Sequence, residues 1–242
     1  MKKYFVLLWL LFPVPVLVFH YAKGRDWMEL DVARDLMRRA ESAEKAHDWA
    51  GAERLYREAD GHIASDRREL KLRAGLSIIR TEVRTGGVVA ALDDAEKLLA
   101  DETFATMPET FRSEARETIS RIHYHAAWVM RLEGAHRELW MEEAELARQG
   151  YRSLVEYDLE SASAERIRPA KEDLEAAVAL QRLSYGALIA RPLPEEGQCM
   201  GNCNLSEKMN ERRKKRGKSP KSGKGPPSNG AGAQRYAPYG GS

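Results

Sequence analysis

The sequence predicts an all-α fold, and three observations support that prediction. Only two prolines, Pro108 and Pro169, occur between Trp27 and Ala190, and proline is the residue that helix interiors tolerate least. Alanine, leucine, glutamate and arginine, which favour helices, dominate the same stretch. Its apolar residues recur every three or four positions, whereas the alternation typical of strands is hard to find. We therefore expect about seven helices over residues 27–190.

The first two helices are predicted from apolar stripes on either side of a short polar segment. The first stripe comprises Leu30, Ala33, Leu36, Met37, Ala40 and Ala43. Asp48 is a suitable N-cap for the second helix, because its carboxylate can accept hydrogen bonds from the first free backbone amides. The second stripe comprises Trp49, Ala52, Leu55, Tyr56 and Ala59. Gly61 is expected to end this helix.

Glycines delimit the third and fourth predicted helices. The third runs over about residues 66–84 and is followed by Gly86 and Gly87. Glycine is common at this place because a helix often ends on a residue in the left-handed conformation. The fourth helix then begins directly, with an apolar stripe over residues 88–99.

Three longer helices complete the prediction. Pro108 precedes the fifth helix, and Gly134 separates the fifth from the sixth. The sixth is either continuous or broken at Gly150, and Pro169 suits the first turn of the seventh. Their apolar stripes cover residues 111–130, 139–154 and 174–188.

Segment 36–59 resembles a tetratricopeptide repeat. In that family, small and aromatic residues at set positions mark the packed faces of two antiparallel helices. The corresponding residues here are Leu36, Ala40, Ala43, Trp49, Ala52, Tyr56 and Ala59, with His47 where glycine is usual. A partial second unit lies near residues 72–99. The resemblance implies antiparallel helix pairs stacked as a short solenoid, which binds peptides or helices on its concave face. The alternative is a helical bundle.

The chain is nearly neutral overall, but its charge is unevenly distributed. Residues 207–242 contain ten basic and two acidic residues, and residues 1–26 contain four basic and one acidic residue. Because the whole chain carries +2, residues 27–206 must carry −9. We therefore divide the chain into a head (1–26), a helical domain (27–190), a linker rich in Pro, Gly and Cys (191–206) and a basic tail (207–242).

The head predicts a membrane anchor. Residues 4–22 form an apolar run of 19 residues, which as a helix would reach about 28 Å and cross a thin bilayer. Lys2 and Lys3 precede it, as in a signal anchor, but the small residues that signal peptidase requires are missing. We expect an uncleaved single-pass anchor. Pro13 and Pro15 leave a cleaved signal peptide as the alternative.

The orientation of this anchor follows from the charges that flank it. Lys2 and Lys3 favour a cytoplasmic N-terminus, whereas Lys23 and Arg25 act in the opposite sense. Short N-terminal tails usually stay inside while long following domains are exported. We therefore expect an extracytoplasmic body, facing the periplasm from a bacterial inner membrane.

The candidate chemical groups favour no catalytic site. His123 and His125 are two positions apart on one helix, so they point to different sides and cannot share a metal ion from one face. The many carboxylate pairs are typical of solvated helix faces. No glycine-rich phosphate loop, nucleophile elbow or calcium loop occurs in the sequence. We expect neither an enzyme nor a cofactor.

Cys199 and Cys203 form the one pair of reactive residues. They lie four positions apart in the linker, and three interpretations remain open. A local disulfide suits an oxidising compartment. Two free thiols without a role are the second interpretation. A Cu(I) site that also uses Met200 is the third.

The basic tail is expected to be disordered, because it contains no Leu, Ile, Val, Phe or Trp after Leu205. Its densest charge is the run Arg212, Arg213, Lys214, Lys215 and Arg216. This run is suited to an anionic partner. Alternatively it only keeps the chain soluble, or it folds back on the acidic body. Specific nucleic-acid recognition is poorly supported, since no aromatic residue is interleaved with the cations.

Together these features predict a membrane-anchored, non-catalytic helical-repeat adaptor that binds a protein partner in a helical groove. The alternative is a cytoplasm-facing anchored protein whose basic tail binds nucleic acid or anionic lipid. The sequence does not predict an oligomeric state.

Overall fold

A computed structural model describes residues 24–160, 164–191 and 204–217, and most of them lie in helices. The α-helices of these ranges are α1 (Arg25–Lys45), α2 (Trp49–His62), α3 (Arg68–Arg84), α4 (Val88–Ala100), α5 (Glu109–Leu132), α6 (Arg137–Glu160), α7 (Ala164–Arg182), α8 (Tyr185–Ile189) and α9 (Leu205–Lys215). A short 3-10 helix, Glu102–Thr106, connects α4 to α5. Since the described ranges contain no strand, the all-α prediction is confirmed for them.

Several predictions concern residues outside the described ranges. The membrane anchor at residues 4–22, the pair Cys199 and Cys203, and the tail beyond Gly217 all lie there. They therefore stay predictions. Within the described ranges, none of the helices combines the length and the apolar character that a membrane span needs.

The chain divides into two compact units, Met1–Thr81 and Glu82–Ser242, and the boundary falls inside α3. The first unit contains α1, α2 and most of α3. The second contains the end of α3 and the helices from α4 to α9. The predicted helical domain of residues 27–190 therefore includes parts of both units.

A tight turn joins α1 to α2. The amide of His47 donates to the carbonyl of Glu44, and the amide of Asp48 donates to that of Ala43, both at 2.9 Å. This pair of bonds is the Schellman ending of a helix. It places His47 in the left-handed region, at φ 60°, a conformation that glycine adopts more readily than residues with a side chain. Asp48 then caps α2 by accepting from the Gly51 amide at 2.9 Å, as predicted.

The same turn recurs where α3 and α5 end. Gly86 and Gly134 have φ values of 88° and 72°. The residue after each glycine donates back to a carbonyl five positions earlier, at 2.8 Å for Gly87 and 2.9 Å for Ala135. Gly87 is also sterically required, because a Cβ there would lie 2.6 Å from Cγ of Glu82. The same local hydrogen-bonding motif thus ends α1, α3 and α5.

The core of the first unit is built around small side chains. Ala40 and Ala52 are fully buried, and they pack with Tyr56 and Ile78 in one cluster. A second cluster joins Ala33, Ile63 and Ala74. Since alanine adds little bulk, the helix backbones can approach closely.

The second unit is organised around α6, which packs against α5 on one side and α7 on the other. Helix α6 runs unbroken through Gly150, so the alternative of a break there is wrong. A Cβ at Gly150 would lie 1.9 Å from Oγ of Ser120 on α5. The glycine therefore serves close helix packing and does not interrupt the helix.

Three other predicted helix boundaries are wrong. Helix α2 continues through Gly61 and ends at His62, and the next residue, Ile63, is extended and buried. Pro169 lies inside α7, beyond its first described turn, at the cost of one backbone hydrogen bond. The seventh predicted helix also stops at Arg182. A separate short helix, capped by Ser184, carries the buried Leu188.

Arg131 of α5 binds the backbone carbonyls at the C-terminal end of α7. Its guanidinium donates to the backbone carbonyls of Leu180 and Leu183. It also lies 4.6 Å from the centre of the Trp140 ring, in a cation–π contact. Burial lowers the pKa of Arg131. This arginine is a packing element that joins α5, α6 and the carbonyls left free at the C-terminus of α7.

The prediction of a disordered tail is wrong for its first residues. Leu205–Lys215 form α9, which contacts α4, α5 and α6. The prediction rested on the absence of Leu, Ile, Val, Phe and Trp after Leu205, and it therefore took no account of Leu205 itself or of Met209. Both side chains are buried, and the arginines that follow pair with carboxylates on the body.

Candidate functional site

The candidate site is the contact between α9 and the surface formed by α4, α5 and α6. Leu205 and Met209 retain only 7% and 2% of their exposure. Arg212, one helical turn further on, is 8% exposed. Lysine and arginine are rarely buried to this extent unless their charge is paired. One stripe of α9 therefore packs on the body.

Arg212 and Arg216 bind two carboxylates of α4. Nε of Arg212 lies 2.7 Å from Asp93 Oδ1, and one of its terminal nitrogens lies 2.8 Å from Glu96 Oε1. Arg216 donates to the same Asp93 oxygen at 2.8 Å and also to Glu96. Because Asp93 and Glu96 are three positions apart, they lie on the same side of α4. Two arginines and two carboxylates thus form one network.

Two further carboxylates complete the contact. Glu133, at the end of α5, accepts from the backbone amides of Leu205 at 3.1 Å and Ser206 at 2.7 Å. It thereby caps the N-terminus of α9, where a negative charge is favourable. Glu142 of α6 lies 3.0 Å from a terminal nitrogen of Arg213. We call the surface of Asp93, Glu96, Glu133 and Glu142 the acidic face.

The pKa values reflect this network. Burial raises the pKa of Asp93, but the hydrogen bond and charge of Arg212, together with Arg216, outweigh it, and the net pKa is lowered. The hydrogen bond to Glu96 raises the pKa of Arg216. Both groups are thus held in their charged forms. Asp93 and Glu96 keep 42% and 49% of their side-chain exposure, so solvent and salt reach the network.

The structure divides the basic run that the sequence singled out. Arg212, Arg213 and Arg216 face carboxylates of the body. Lys214 and Lys215 are exposed. Since an isolated helix of this length is marginal in water, the helix and its docking depend on each other. Folding back on the acidic body was one of the alternatives for the tail, and residues 205–216 do this.

The residues chosen for repeat packing lie in the first unit, in the contact between α1, α2 and α3. Five of them are buried: Leu36, Ala40, Ala52, Tyr56 and Ala59. Ala43 and Trp49 are half-buried. The burial of Tyr56 raises the pKa of its hydroxyl, and the nearby Glu44 acts in the same sense.

Two histidines of the described residues, one of them the candidate metal ligand His123, pair with carboxylates. Nδ1 of His123 lies 2.6 Å from Glu143 Oε2, which links α5 to α6. Nδ1 of His62 lies 2.5 Å from Glu29 Oε2. Over the described residues, no three His, Cys, Asp or Glu side chains come together as a metal-binding group would.

The sequence analysis predicted neither the acidic face nor the buried contact of Met209 with the body. The signal was present in part, because Leu205, Met209, Arg212 and Arg216 follow one another at spacings of four, three and four, which is one face of a helix. The partners on the body gave no such signal. Asp93, Glu96, Glu133 and Glu142 resemble any other carboxylates on solvated helices until the fold brings them together.

Comparisons with known proteins returned no match, whether with family models, with curated proteins or with solved structures.

Proposed function

We propose that the protein is a non-catalytic adaptor that holds a partner protein at a membrane. Residues 4–22 serve as a single-pass anchor, and the helical body lies on the extracytoplasmic side. The helix pairs form a short solenoid of the tetratricopeptide type. In this proposal the body recognises helices.

The observation that carries the proposal is the docking of α9. The surface of α4, α5 and α6 already binds a helix of this chain, through two buried apolar side chains and three arginines. A groove that accepts an amphipathic helix is a common mode of protein recognition. The docking of α9 supports the proposal that the body binds a helix of a partner protein.

The alternative function assigns the basic run to nucleic acid or anionic lipid. Three of its five cations face carboxylates of the body, so these three arginines would have to leave the acidic face before they bound a polyanion. The docked arrangement thus favours the adaptor over the basic-tail function.

The test begins with isolation of the full chain from detergent-solubilised membranes of the cells that produce it. We expect a protein to co-purify in near-stoichiometric amount, and the chain to require detergent for extraction. N-terminal sequencing should find residues 4–22 still attached. A chain that is soluble without detergent, or that purifies alone under mild conditions, would contradict the proposal.

A further inference from the structure

Helix α9 presents a simple pattern to the body. Leu205, Met209, Arg212 and Arg216 lie on one side of the helix and contact the body, and Arg213 beside them pairs with Glu142. Lys214 and Lys215 face solvent. The pattern is two apolar residues four positions apart, followed by arginines three and seven positions after the second.

The acidic face is matched to this pattern in two ways. Asp93 and Glu96 receive both arginines, and this requires the guanidinium geometry. Glu133 binds backbone amides of Leu205 and Ser206, a contact that any helix N-terminus offers whatever its sequence. The face therefore recognises a helix start and, two to three turns later, a pair of arginines.

The contact between α9 and the acidic face is also suited to replacement of α9 by another helix. A helix of eleven residues does not persist by itself in water, so α9 unfolds when it leaves the face. Its ion pairs are partly exposed, and its apolar contact rests on two side chains. Local opening of such an element is expected to occur well below the cost of global unfolding.

We propose that the acidic face is the binding site for an arginine-bearing amphipathic helix of a partner protein, and that α9 occupies this site as an internal competitor. The inference rests on the proposed adaptor function and names the partner's chemistry. Because α9 is tethered to its site, it is present there at a high effective concentration. A partner helix binds in proportion to the fraction of molecules in which α9 is displaced.

The experiment uses the full chain in detergent micelles and a fluorescein-labelled synthetic peptide of residues 204–217 as the partner helix. Met209→Glu removes the apolar anchor of α9 and places a carboxylate near the acidic face, while the face itself is unchanged. Hydrogen exchange of residues 205–215 reports whether α9 has opened. We expect fluorescence anisotropy to show peptide binding at least about tenfold tighter to this variant than to the wild type.

Two matched variants locate the site. In the Met209→Glu background, the pair Asp93→Asn and Glu96→Gln should abolish the gain in peptide affinity, because both arginine acceptors lose their charge. The pair Lys214→Ala and Lys215→Ala in the otherwise native chain should bind the peptide as the wild type does, since both lysines face solvent. A peptide with alanine in place of Arg212 and Arg216 should not bind.

Some results would overturn the inference. One is an opened α9 in Met209→Glu without any gain in peptide affinity. Another is continued protection of α9 from hydrogen exchange both in Met209→Glu and in the double variant Arg212→Glu, Arg216→Glu. A helix that stays bound in both variants cannot act as a competitor that leaves the site. A gain that survives Asp93→Asn with Glu96→Gln would also exclude the acidic face.

The inference and the adaptor function can fail separately. If the peptide binds Met209→Glu but no protein co-purifies with the full chain from its membranes, the adaptor function is wrong. If a partner co-purifies equally well with the wild type and with Asp93→Asn and Glu96→Gln, the adaptor function stands. The partner then binds elsewhere, and the inference is wrong.

Discussion

Helices α1 and α2 of the first unit meet through alanines, whereas α9 of the second unit meets its neighbours through arginines as well as two apolar side chains. Ala40 and Ala52 have no exposed surface and lie against Tyr56. Arg212, by contrast, is buried between carboxylates that keep almost half of their own exposure. Both contacts join helices, but the forces that hold them differ.

The difference determines how each contact responds to its surroundings. Close packing of small apolar groups is insensitive to ionic strength, and it is lost only when the helices separate. Ion pairs near the surface are individually weak and are screened by salt. We therefore expect the α1–α2 pair to act as a permanent scaffold and α9 to act as a removable element. Four changes test this contrast.

The largest effect is expected from Ala52→Glu. The side chain would place a carboxylate in a fully buried position among Tyr56 and Ile78, without a partner. Such burial costs several kcal/mol, and we expect the first unit to unfold or to melt at a much lower temperature. Thermal denaturation followed by circular dichroism measures this.

The matched control for that variant is Ala50→Glu, which introduces the same residue on the same helix. Ala50 is exposed, so the free energy of unfolding should change by no more than about 0.5 kcal/mol. Equal melting temperatures for the two variants would show that alanine packing does not hold α1 and α2 together.

Arg131→Ala tests a charged residue that acts as a packing element. The change removes the donor to the carbonyls of Leu180 and Leu183 and the cation–π contact with Trp140. Hydrogen bonds to charged groups contribute about 1.5–3 kcal/mol each, and we expect a total loss of about 3 kcal/mol. Hydrogen exchange should accelerate in α7. An unchanged α7 would mean that helix packing alone closes its C-terminus.

High salt should release α9 without affecting α2. Between about 0.1 M and about 1 M NaCl the Debye length falls from about 10 Å to about 3 Å, so the network of Asp93, Glu96, Arg212 and Arg216 weakens. We expect exchange protection of residues 205–215 to fall by about threefold to tenfold, which corresponds to roughly 0.7–1.4 kcal/mol. Protection of residues 49–62 should stay constant. An equal loss of exchange protection in α2 and α9 would show that the two contacts do not differ in their response to salt.

The smallest effect concerns Glu145. The hydrogen bonds from Arg148 and Gln149 lower the pKa of this carboxyl to about 2, from an ordinary value of 4.5. Since the folded pKa is the lower one, the charged form stabilises the fold above pH 4.5, and this contribution is lost as the pH falls through about 2. Because the side chain is 39% exposed, solvent screening limits the effect to about 0.5 kcal/mol.

Glu145→Gln should therefore melt slightly earlier than the wild type at neutral pH. The difference in melting temperature should shrink as the pH falls from 4.5 towards 2, because the wild-type carboxylate is then neutralised as well. A difference that stays constant with pH would show that the loss arises from packing and not from charge.

Several parts of the fold were predictable because they depend on short-range effects. The stripes of α1 and α2, the cap at Asp48 and the turns at Gly86 and Gly134 all follow from interactions within a few residues. The boundaries at Gly61 and Pro169 were predicted wrongly, and the sequence left open whether α6 breaks at Gly150. The reason for a glycine at position 150 is Ser120, thirty positions earlier in the chain, which leaves no room for a Cβ there.

The candidate site was far less predictable than the fold. Arg212, Arg213 and Arg216 were identified as a charged group, but their partners lie on α4 and α6, and Arg212 is more than a hundred residues away from Asp93. A run of cations that faces water cannot be distinguished by its sequence from a run that faces carboxylates. Only the positions of the helices distinguish them.

By itself the sequence determined that the described chain is helical and where most of its helices begin and end, because helix formation depends on hydrogen bonds and side chains within one or two turns. The tertiary structure decided that residues 205–215 form a helix at all, and that Arg212, Arg213 and Arg216 are paired with carboxylates. The physical reason is that a short, highly charged helix is not stable alone. It requires the apolar contacts of Leu205 and Met209 and the carboxylates of three other helices, and these meet only in the folded chain.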